Sequence, residues 1–297
     1  MTTAAPLHAT PAHNLTNPAL SPDHQEAAHL PIPRGSVTSS LKYYAPPADG
    51  SAPFNYVETA PEGQPQRNFG DSDHDVTISD VRGREGEFTL DTNAFEALAN
   101  VPPSAEHDFV DDAHIKATYY PELEKLLLDH LPGASRVLFF DHTIRRSDPS
   151  STRAPVTRVH IDQTPTAAEG RVRHHLPDEA EELLRGRYRI INVWRPLNGP
   201  VRSFPLAFAD SSTVADEDLV GVQHRYPDRI GETAGVKHND AQRWYYWSGM
   251  ENNERLLLQC YDSKTGGRLP HTAFVDPRTP EGAAGRESIE VRALVFG

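Results

Sequence analysis

Short β-rich runs make up most of the second half of the chain, and this succession restricts the fold more than any other feature. Gly, Pro, Asn and Asp separate the runs, which is typical of strands joined by turns. About eight or nine such strands suit a jelly roll or double-stranded β-helix. The runs lie at residues 136–145, 156–162, 188–195, 204–210, 219–225, 243–248, 255–261, 270–275 and 288–296.

The N-terminal part has a different composition. Residues 1–35 are rich in Ala, Pro, His and Thr and have almost no aromatic side chains, so we expect an arm that is flexible or draped over the body. Residues 36–297 then form a single barrel domain with an N-terminal αβ extension. This extension contains a predicted strand at 75–80 and a predicted helix at 92–99.

Helices are expected around the barrel rather than inside it. Apolar residues at 3- and 4-residue spacing predict an amphipathic helix over 108–130. The acidic segment 176–184 predicts a short, solvated connecting helix, and Pro165 is expected to end the strand before it. The predicted fold class is therefore an all-β core with flanking helices (α+β), built as a cupin-like double-stranded β-helix barrel.

Charge and composition narrow the choice of partners. The 297 residues carry a formal net charge of -13 without a long basic run, which argues against nucleic acid. The sequence has no apolar run of membrane-spanning length, and its polar N-terminus does not look like a secretion signal. The one cysteine, Cys260, excludes an intrachain disulfide. We therefore expect a cytoplasmic protein that acts on a small molecule, with no membrane or nucleic-acid partner.

A metal-binding pattern begins in the predicted strand at 156–162. His160 and Asp162 share one face of an extended strand because alternate side chains point the same way. A second histidine, His271, lies on a late strand, which a jelly roll returns beside its early strands. Two imidazoles and one carboxylate with open positions suit non-heme Fe(II). His160, Asp162 and His271 are therefore the predicted metal ligands and catalytic centre.

A predicted anchor for a 2-oxo acid follows His271 in the sequence. Arg286 and Ser288 stand at the start of the last predicted strand and share one face of it. The planar fork of arginine binds a carboxylate through two hydrogen bonds, and a serine hydroxyl adds another. Arg292 lies on the same face and is a rival anchor, although an ion pair with Glu290 or another acid is the simpler role for it.

Further candidates concern the co-substrate and the substrate. Asn192 and Trp194 share a face of one predicted strand; Asn192 is a candidate for binding the co-substrate and Trp194 for lining the pocket. Gln163 follows the first metal-binding pair and is a candidate substrate contact. Tyr119 and Arg145 are candidates for the pocket rim, with helix packing and surface charge as their alternative roles.

Several segments stand out, including HIDQTP at 160–165, YRIINVWRPLNGP at 188–200 and HTAFVDP at 271–277. They resemble the AsaB hydroxylase/desaturase family, which includes the fungal gibberellin desaturase. The resemblance covers residues 40–297 and implies an Fe(II)/2-oxoglutarate-dependent dioxygenase with a double-stranded β-helix core. Such an enzyme hydroxylates or desaturates a secondary metabolite and uses dioxygen to convert 2-oxoglutarate to succinate. The match implies the iron ligands and the arginine–serine anchor given above. It rests on residues 160–165, 188–200, 243–246, 271–277 and 286–296.

Two other functions stay open from the sequence. One is a non-catalytic binding protein that keeps the barrel fold. The other is a methyltransferase-type tailoring protein, a label that some related sequences carry, although the glycine-rich loop of a doubly wound sheet is absent. The HExxH, P-loop and GxSxG motifs are absent as well. Because exposed strand edges are often covered by a partner, a homodimer is a further expectation.

Overall fold

The computed structural model describes residues 29–146 and 154–297. Residues 1–28 of the predicted arm lie outside the described part, so the arm stays a prediction. The helices are α1 (Leu90–Asn93), α2 (Asp112–His130), α3 (Pro165–His175) and α4 (Ala180–Leu183). The strands are β1 (Val37–Ala45), β2 (Phe54–Tyr56), β3 (Gly70–Asp80), β4 (Phe95–Leu98), β5 (Arg136–Arg145), β6 (His160–Ile161), β7 (Tyr188–Pro196), β8 (Leu206–Ala209), β9 (Leu219–Arg225), β10 (Ile230–Val236), β11 (Trp244–Tyr246), β12 (Arg255–Asp262), β13 (His271–Ala273) and β14 (Ser288–Phe296).

The strands form two sheets that pack face to face. One sheet has nine strands in the order β1-β3-β11-β8-β13-β6-β10-β9-β2, and the other has five in the order β4-β12-β7-β14-β5. Phe208 of the first sheet packs with Phe95, Trp194 and Leu258 of the second in one buried cluster. The predicted all-β core of a jelly roll is therefore present, with the core between the two sheets.

Strand β7 shows how the five-stranded sheet separates two environments. Every residue of this strand is buried, as expected for a central strand covered on both faces. Successive side chains alternate, so Asn192 and Trp194 face the interior of the barrel whereas Ile191 and Val193 face outward. Helix α2 covers the outward face and buries its own apolar stripe there.

Helix α2 confirms the amphipathic helix that the spacing predicts, except for its first residues. It begins after Asp111, whose side chain accepts a hydrogen bond from the backbone N–H of Ala113 at 2.8 Å and caps the first turn. Ile115, Leu123 and Leu127 are buried against the sheet.

Among the described residues, no helix is both long enough and apolar enough to cross a membrane.

Three expected elements differ from those observed. The helix predicted over 92–99 is wrong: α1 ends at Asn93, and Ala94 has a left-handed φ of 63°, after which β4 pairs with β12. The strand predicted over 156–162 is reduced to β6, and the helix over 176–184 to the single turn of α4.

Two of the elements that the sequence did not predict lie beside the cavity. Helix α3 follows β6, although Pro165 suggested only the end of a strand; the proline instead occupies the first turn, where its missing N–H costs nothing. Strand β10 completes a hairpin with β9 in which Ile230 pairs with Arg225. Both elements border the cavity described below.

Candidate metal centre and cavity

Strand pairing brings the two predicted histidine ligands together. Strand β6 lies between β10 and β13, and His160 of β6 pairs directly with His271 of β13. Opposed residues of antiparallel strands place their side chains on the same face. The two imidazole centroids accordingly lie 4.4 Å apart. The register of two very short strands thus joins residues that are far apart in the sequence.

Backbone carbonyls orient both imidazoles. Nδ1 of His160 lies 2.9 Å from the carbonyl oxygen of Arg158, and Nδ1 of His271 lies 3.1 Å from that of Leu269. A carbonyl oxygen can only accept, so each Nδ1 donates its proton and each Nε2 keeps its lone pair. Burial and the neighbouring His160 lower the pKa of His271 to about 4, so this ring is neutral near pH 7.

Asp162 completes a set of three donor atoms. Its Oδ1 lies 3.4 Å from Nε2 of His160 and 4.0 Å from Nε2 of His271. Burial opposes the charged form of Asp162, but hydrogen bonding to His160 and the nearby His271 and Arg292 hold its pKa well below its usual range. One ligand atom from each of the three residues lies within 4.8 Å of the others. Two neutral nitrogens and a carboxylate oxygen fit non-heme Fe(II).

The second oxygen of Asp162 is held by side chains of the five-stranded sheet. Nδ2 of Asn192 donates a hydrogen bond to Oδ2 at 2.7 Å, and a guanidinium nitrogen of Arg292 lies 3.7 Å from it. Arg292 also binds Asp141 through two hydrogen bonds of 2.6 and 3.0 Å. Asn192 therefore orients the carboxylate, and Arg292 has the ion-paired role that was its simpler alternative.

The predicted anchor for the 2-oxo acid lies in a buried, positively charged region. Arg286 is 4 % exposed, donates to the carbonyl oxygen of Phe204 at 2.6 Å, and lies 5.3 Å from the ring centroid of Trp194. Burial and the charge of Arg145 lower the pKa of Arg286 to about 9. Ser288 is buried and pairs with Arg145 between β14 and β5. Two guanidinium groups and a hydroxyl therefore share this region.

Glu290 is a residue near the centre that the sequence suggested only as a partner of Arg292. It alternates with Ser288 and Arg292 along β14, so the three share the inner face. Burial, followed by the charge of Asp162, raises the pKa of Glu290 to about 7. The signal in the sequence was its place between Ser288 and Arg292 in the alternation of the last strand.

Tyr119 does not reach the metal centre. Its side chain is fully buried in α2, with its ring 5.2 Å from that of Phe109, in the cluster that contains Val193. The sheet separates this cluster from Asn192, because neighbouring residues of β7 point to opposite faces. Tyr119 therefore has the packing role that was its alternative, and the expected place at the pocket rim does not match its position.

A cavity of about 900 Å³ opens beside the triad, with His160, Asp162 and Gln163 in its lining. Helix α3 forms one wall and the β9–β10 hairpin forms another. The predicted co-substrate anchors are not among its lining residues. Helix α3 contributes Thr166, Ala167, Gly170, Arg171 and His174 to the lining. The β9–β10 hairpin contributes Val222, Gln223, His224, Tyr226, Arg229, Ile230, Gly231, Glu232, Thr233, Ala234 and Gly235. Other parts of the chain add Asn55, Phe69, Val156 and Arg158.

Comparisons with known proteins agree with this geometry. A family model described as an oxidoreductase/YMDC permease-like domain matches residues 41–296. The chain is 35% identical to the hydroxylase/desaturase PoxK of Penicillium oxalicum over 94% of this chain and 97% of that protein. It is 34% identical to the hydroxylase/desaturase AsaB of Aspergillus flavus over 74% of this chain and 79% of that protein.

A solved structure gives the same result for the fold. The iron and alpha-ketoglutarate-dependent endoperoxidase NvfI, known from Aspergillus novofumigatus, superposes with a TM-score of 0.80 at 31% identity. The match covers 89% of this chain and 99% of that one. The predicted jelly-roll fold and the resemblance to the AsaB family are both confirmed.

Proposed function

The chain belongs to a family of Fe(II)/2-oxoglutarate-dependent hydroxylases and desaturases, and we propose that it oxidises a small secondary metabolite at the triad. The oxidation is a hydroxylation or a desaturation, coupled to decarboxylation of 2-oxoglutarate to succinate. The observation that carries the proposal is the convergence of Nε2 of His160, Nε2 of His271 and Oδ1 of Asp162. When bound there, Fe(II) supplies the redox chemistry that dioxygen requires.

The protein's own part is to hold the ligands in place before any metal arrives. The carbonyl groups behind His160 and His271 fix the tautomer of each ring, so no proton has to move when a metal binds. Asn192 holds the outer oxygen of Asp162 and leaves the inner oxygen directed at the two histidines. A donor set fixed in this way favours one geometry of the bound ion.

We assign the distal carboxylate of 2-oxoglutarate to Arg286 and Ser288. Arg286 is buried and has the charge of Arg145 beside it, so an incoming carboxylate would relieve the repulsion between the two guanidinium groups. Trp194 covers the guanidinium of Arg286 and limits access of water from that side. Asn192 and Ser288 lie on the same inner surface, which supports a co-substrate site next to the triad.

The substrate is assigned to the cavity beside His160 and Asp162. Its volume of about 900 Å³ suits a molecule of metabolite size. Gln163, only 6 % exposed, lies on the floor of the cavity next to the ligands and is the assigned substrate contact there.

We also place the protein in the cytoplasm, which its single cysteine supports. We expect a homodimer, which light scattering on the purified chain would test.

Alanine substitution of the ligands tests the proposal. His160→Ala, Asp162→Ala and His271→Ala should each reduce iron-dependent formation of succinate from 2-oxoglutarate by about a thousandfold or more, since each removes one ligand of the ion. His107→Ala is the matched control, because this histidine is exposed and belongs neither to the group of metal-binding residues nor to the cavity lining. Full turnover in all three ligand variants would exclude the assignment.

A further inference from the structure

Helix α3 presents one face to the cavity, on which Thr166, Arg171 and His174 are the polar residues. Thr166, Ala167, Gly170, Arg171 and His174 line it, and they recur at the 3- and 4-residue spacing of one helix face. Small residues occupy the middle of that face. A Cβ added at Gly170 would meet no atom within 4 Å, so open space lies above the helix at this point.

Arg171 brings an unmatched positive charge to this wall. Its guanidinium lies 4.9 Å from the ring centroid of Phe140, and in the described part of the chain no carboxylate lies within 4.0 Å of it. Burial lowers the pKa of Arg171, and the charges of Arg292 and Arg229 lower it further, whereas Asp141 acts in the opposite direction. Asp141 is already bound on both oxygens by Arg292, so its charge is shared.

A second arginine at the cavity is also without an acidic partner among the described residues. Arg229 stacks on the ring of Tyr226 at 3.8 Å from the centroid and is exposed. Arg158, by contrast, binds Asp71. Of the acids in the lining, Asp141 pairs with Arg292, Asp162 belongs to the triad and Glu232 accepts a hydrogen bond from Thr164.

The local charge runs against that of the whole protein. The chain carries a net charge of -13, yet Arg171 of α3 and Arg229 of the β9–β10 hairpin, which both line this cavity, lack a carboxylate partner among the described residues. Unpaired guanidinium groups over aromatic rings in a cleft attract anions, because the surrounding protein screens them less than water does. The lining also includes apolar and small residues, among them Phe69, Val222 and Ala234, alongside polar ones such as Gln223 and Thr233.

We propose that the substrate is an organic acid, whose carboxylate is bound by Arg171, with Arg229 attracting it at the cavity mouth. The apolar body of the molecule would lie along Phe69 and Val222 and reach the floor beside His160. This inference rests on the proposed function in one respect, namely that the bound acid is a substrate. Binding of the acid itself needs no turnover. It names a chemical class, an amphipathic carboxylate, for the ligand of this cavity.

Paired fluorescent probes test the inference. cis-Parinaric acid and its methyl ester differ in charge but share one apolar body, and both would be titrated anaerobically into the full chain with Fe(II) and saturating 2-oxoglutarate. We expect the acid to bind about tenfold more tightly than the ester, as a charge-assisted contact implies. Arg171→Gln should remove this preference by weakening the acid alone, and Arg171→Lys should keep part of it.

Arg173→Gln is the matched control. Arg173 lies on the same helix with the same charge, but it is exposed, pairs with Glu181 and is absent from the lining. The acid preference should be unchanged in this variant. Equal affinity of acid and ester, binding of neither, or equal losses in the Gln variants of Arg171 and Arg173 would overturn the inference. Displacement of the acid by 2-oxoglutarate, added to a sample prepared without it, would overturn it too, since the probe would then occupy the co-substrate site.

The proposed function is tested separately from these titrations. Iron-dependent succinate formation by the unaltered chain tests that function without any probe. The acid-to-ester comparison can be repeated without metal, and there the same preference is expected because Arg171 does not contact the triad. If the protein prefers the acid but forms no succinate, the inference about the ligand stands and the proposed reaction is excluded.

Discussion

The floor of the cavity and its walls are built in different ways. At the floor, His160 and Asp162 line the cavity and form the metal triad with His271, which does not line it. Antiparallel pairing of strands and hydrogen bonds with buried groups place this triad. The walls, which consist of α3 and the β9–β10 hairpin, lie partly exposed and contain several glycines. The residues that would hold the metal therefore lie on paired strands, whereas the proposed substrate-binding walls lie on more exposed elements.

The contrast extends to electrostatics. Around the floor, Asp162 faces two histidines, and Arg292 is paired with Asp141. At the walls, Arg171 and Arg229 have no such partner among the described residues. A substitution at the floor should therefore change metal or co-substrate binding, and one at the walls should change substrate choice or stability.

Apart from the substitutions of the metal ligands, the largest expected effect of a single substitution is on binding of the co-substrate. Arg286→Ala should raise the KM for 2-oxoglutarate by about a hundredfold, because it removes a buried charge that a carboxylate would pair with. Binding of Fe(II) alone should be unaffected, since Arg286 makes no contact with the triad residues. Initial rates of succinate formation over a range of 2-oxoglutarate concentrations measure the change. An unaltered KM would remove Arg286 from the co-substrate site.

A smaller effect is expected at Asn192, which positions a ligand without being one. Asn192→Ala removes the hydrogen bond to Oδ2 of Asp162 and should weaken metal affinity by about 10- to 100-fold. Titration with Mn(II) in the absence of 2-oxoglutarate measures this affinity. Ser288→Ala is the control, because it lies on the same inner surface but is assigned to the co-substrate. Equal affinities in Asn192→Ala and the unaltered chain would contradict the positioning role.

Two glycines of the walls should respond with opposite signs. Gly170→Ala adds a methyl group into open space on α3 and should stabilise the protein by about 1 kcal/mol through helix propensity. Gly235→Ala places its Cβ 3.0 Å from Cδ2 of the buried Tyr44 and should destabilise the fold by about 1 kcal/mol or more. Denaturant unfolding measures both. Destabilisation by Gly170→Ala would show that the space above α3 is not open.

The sequence allowed the floor to be predicted more completely than the walls. Alternation in a strand places His160 beside Asp162, and the return of late strands in a jelly roll places His271 near them. The alternation of Ser288, Glu290 and Arg292 is likewise kept in the observed strand β14, because a strand has only two faces. These features depend on local periodicity and on a known fold, and both can be read from sequence.

The walls depend on signals that compete with one another. Thr164 and Pro165 form a cap and first turn for α3, but a proline after a strand also marks the end of that strand. Strand β10 contains Gly231 and Gly235, which lower strand propensity, and its pairing with β9 is a tertiary effect. The misplaced helix at 92–99 has the same origin: pairing of β4 with β12 outweighs the helical preference of Ala and Leu.

The most direct test of the split between floor and walls is an anaerobic titration of the protein with Fe(II) and 2-oxoglutarate, followed by visible absorbance. Fe(II) and 2-oxoglutarate should give a charge-transfer band when both are bound at the triad. We expect His271→Ala to lose the band and His174→Ala, a histidine of the α3 wall, to keep it. A band that persists in His271→Ala would show that the triad of His160, Asp162 and His271 does not bind the iron.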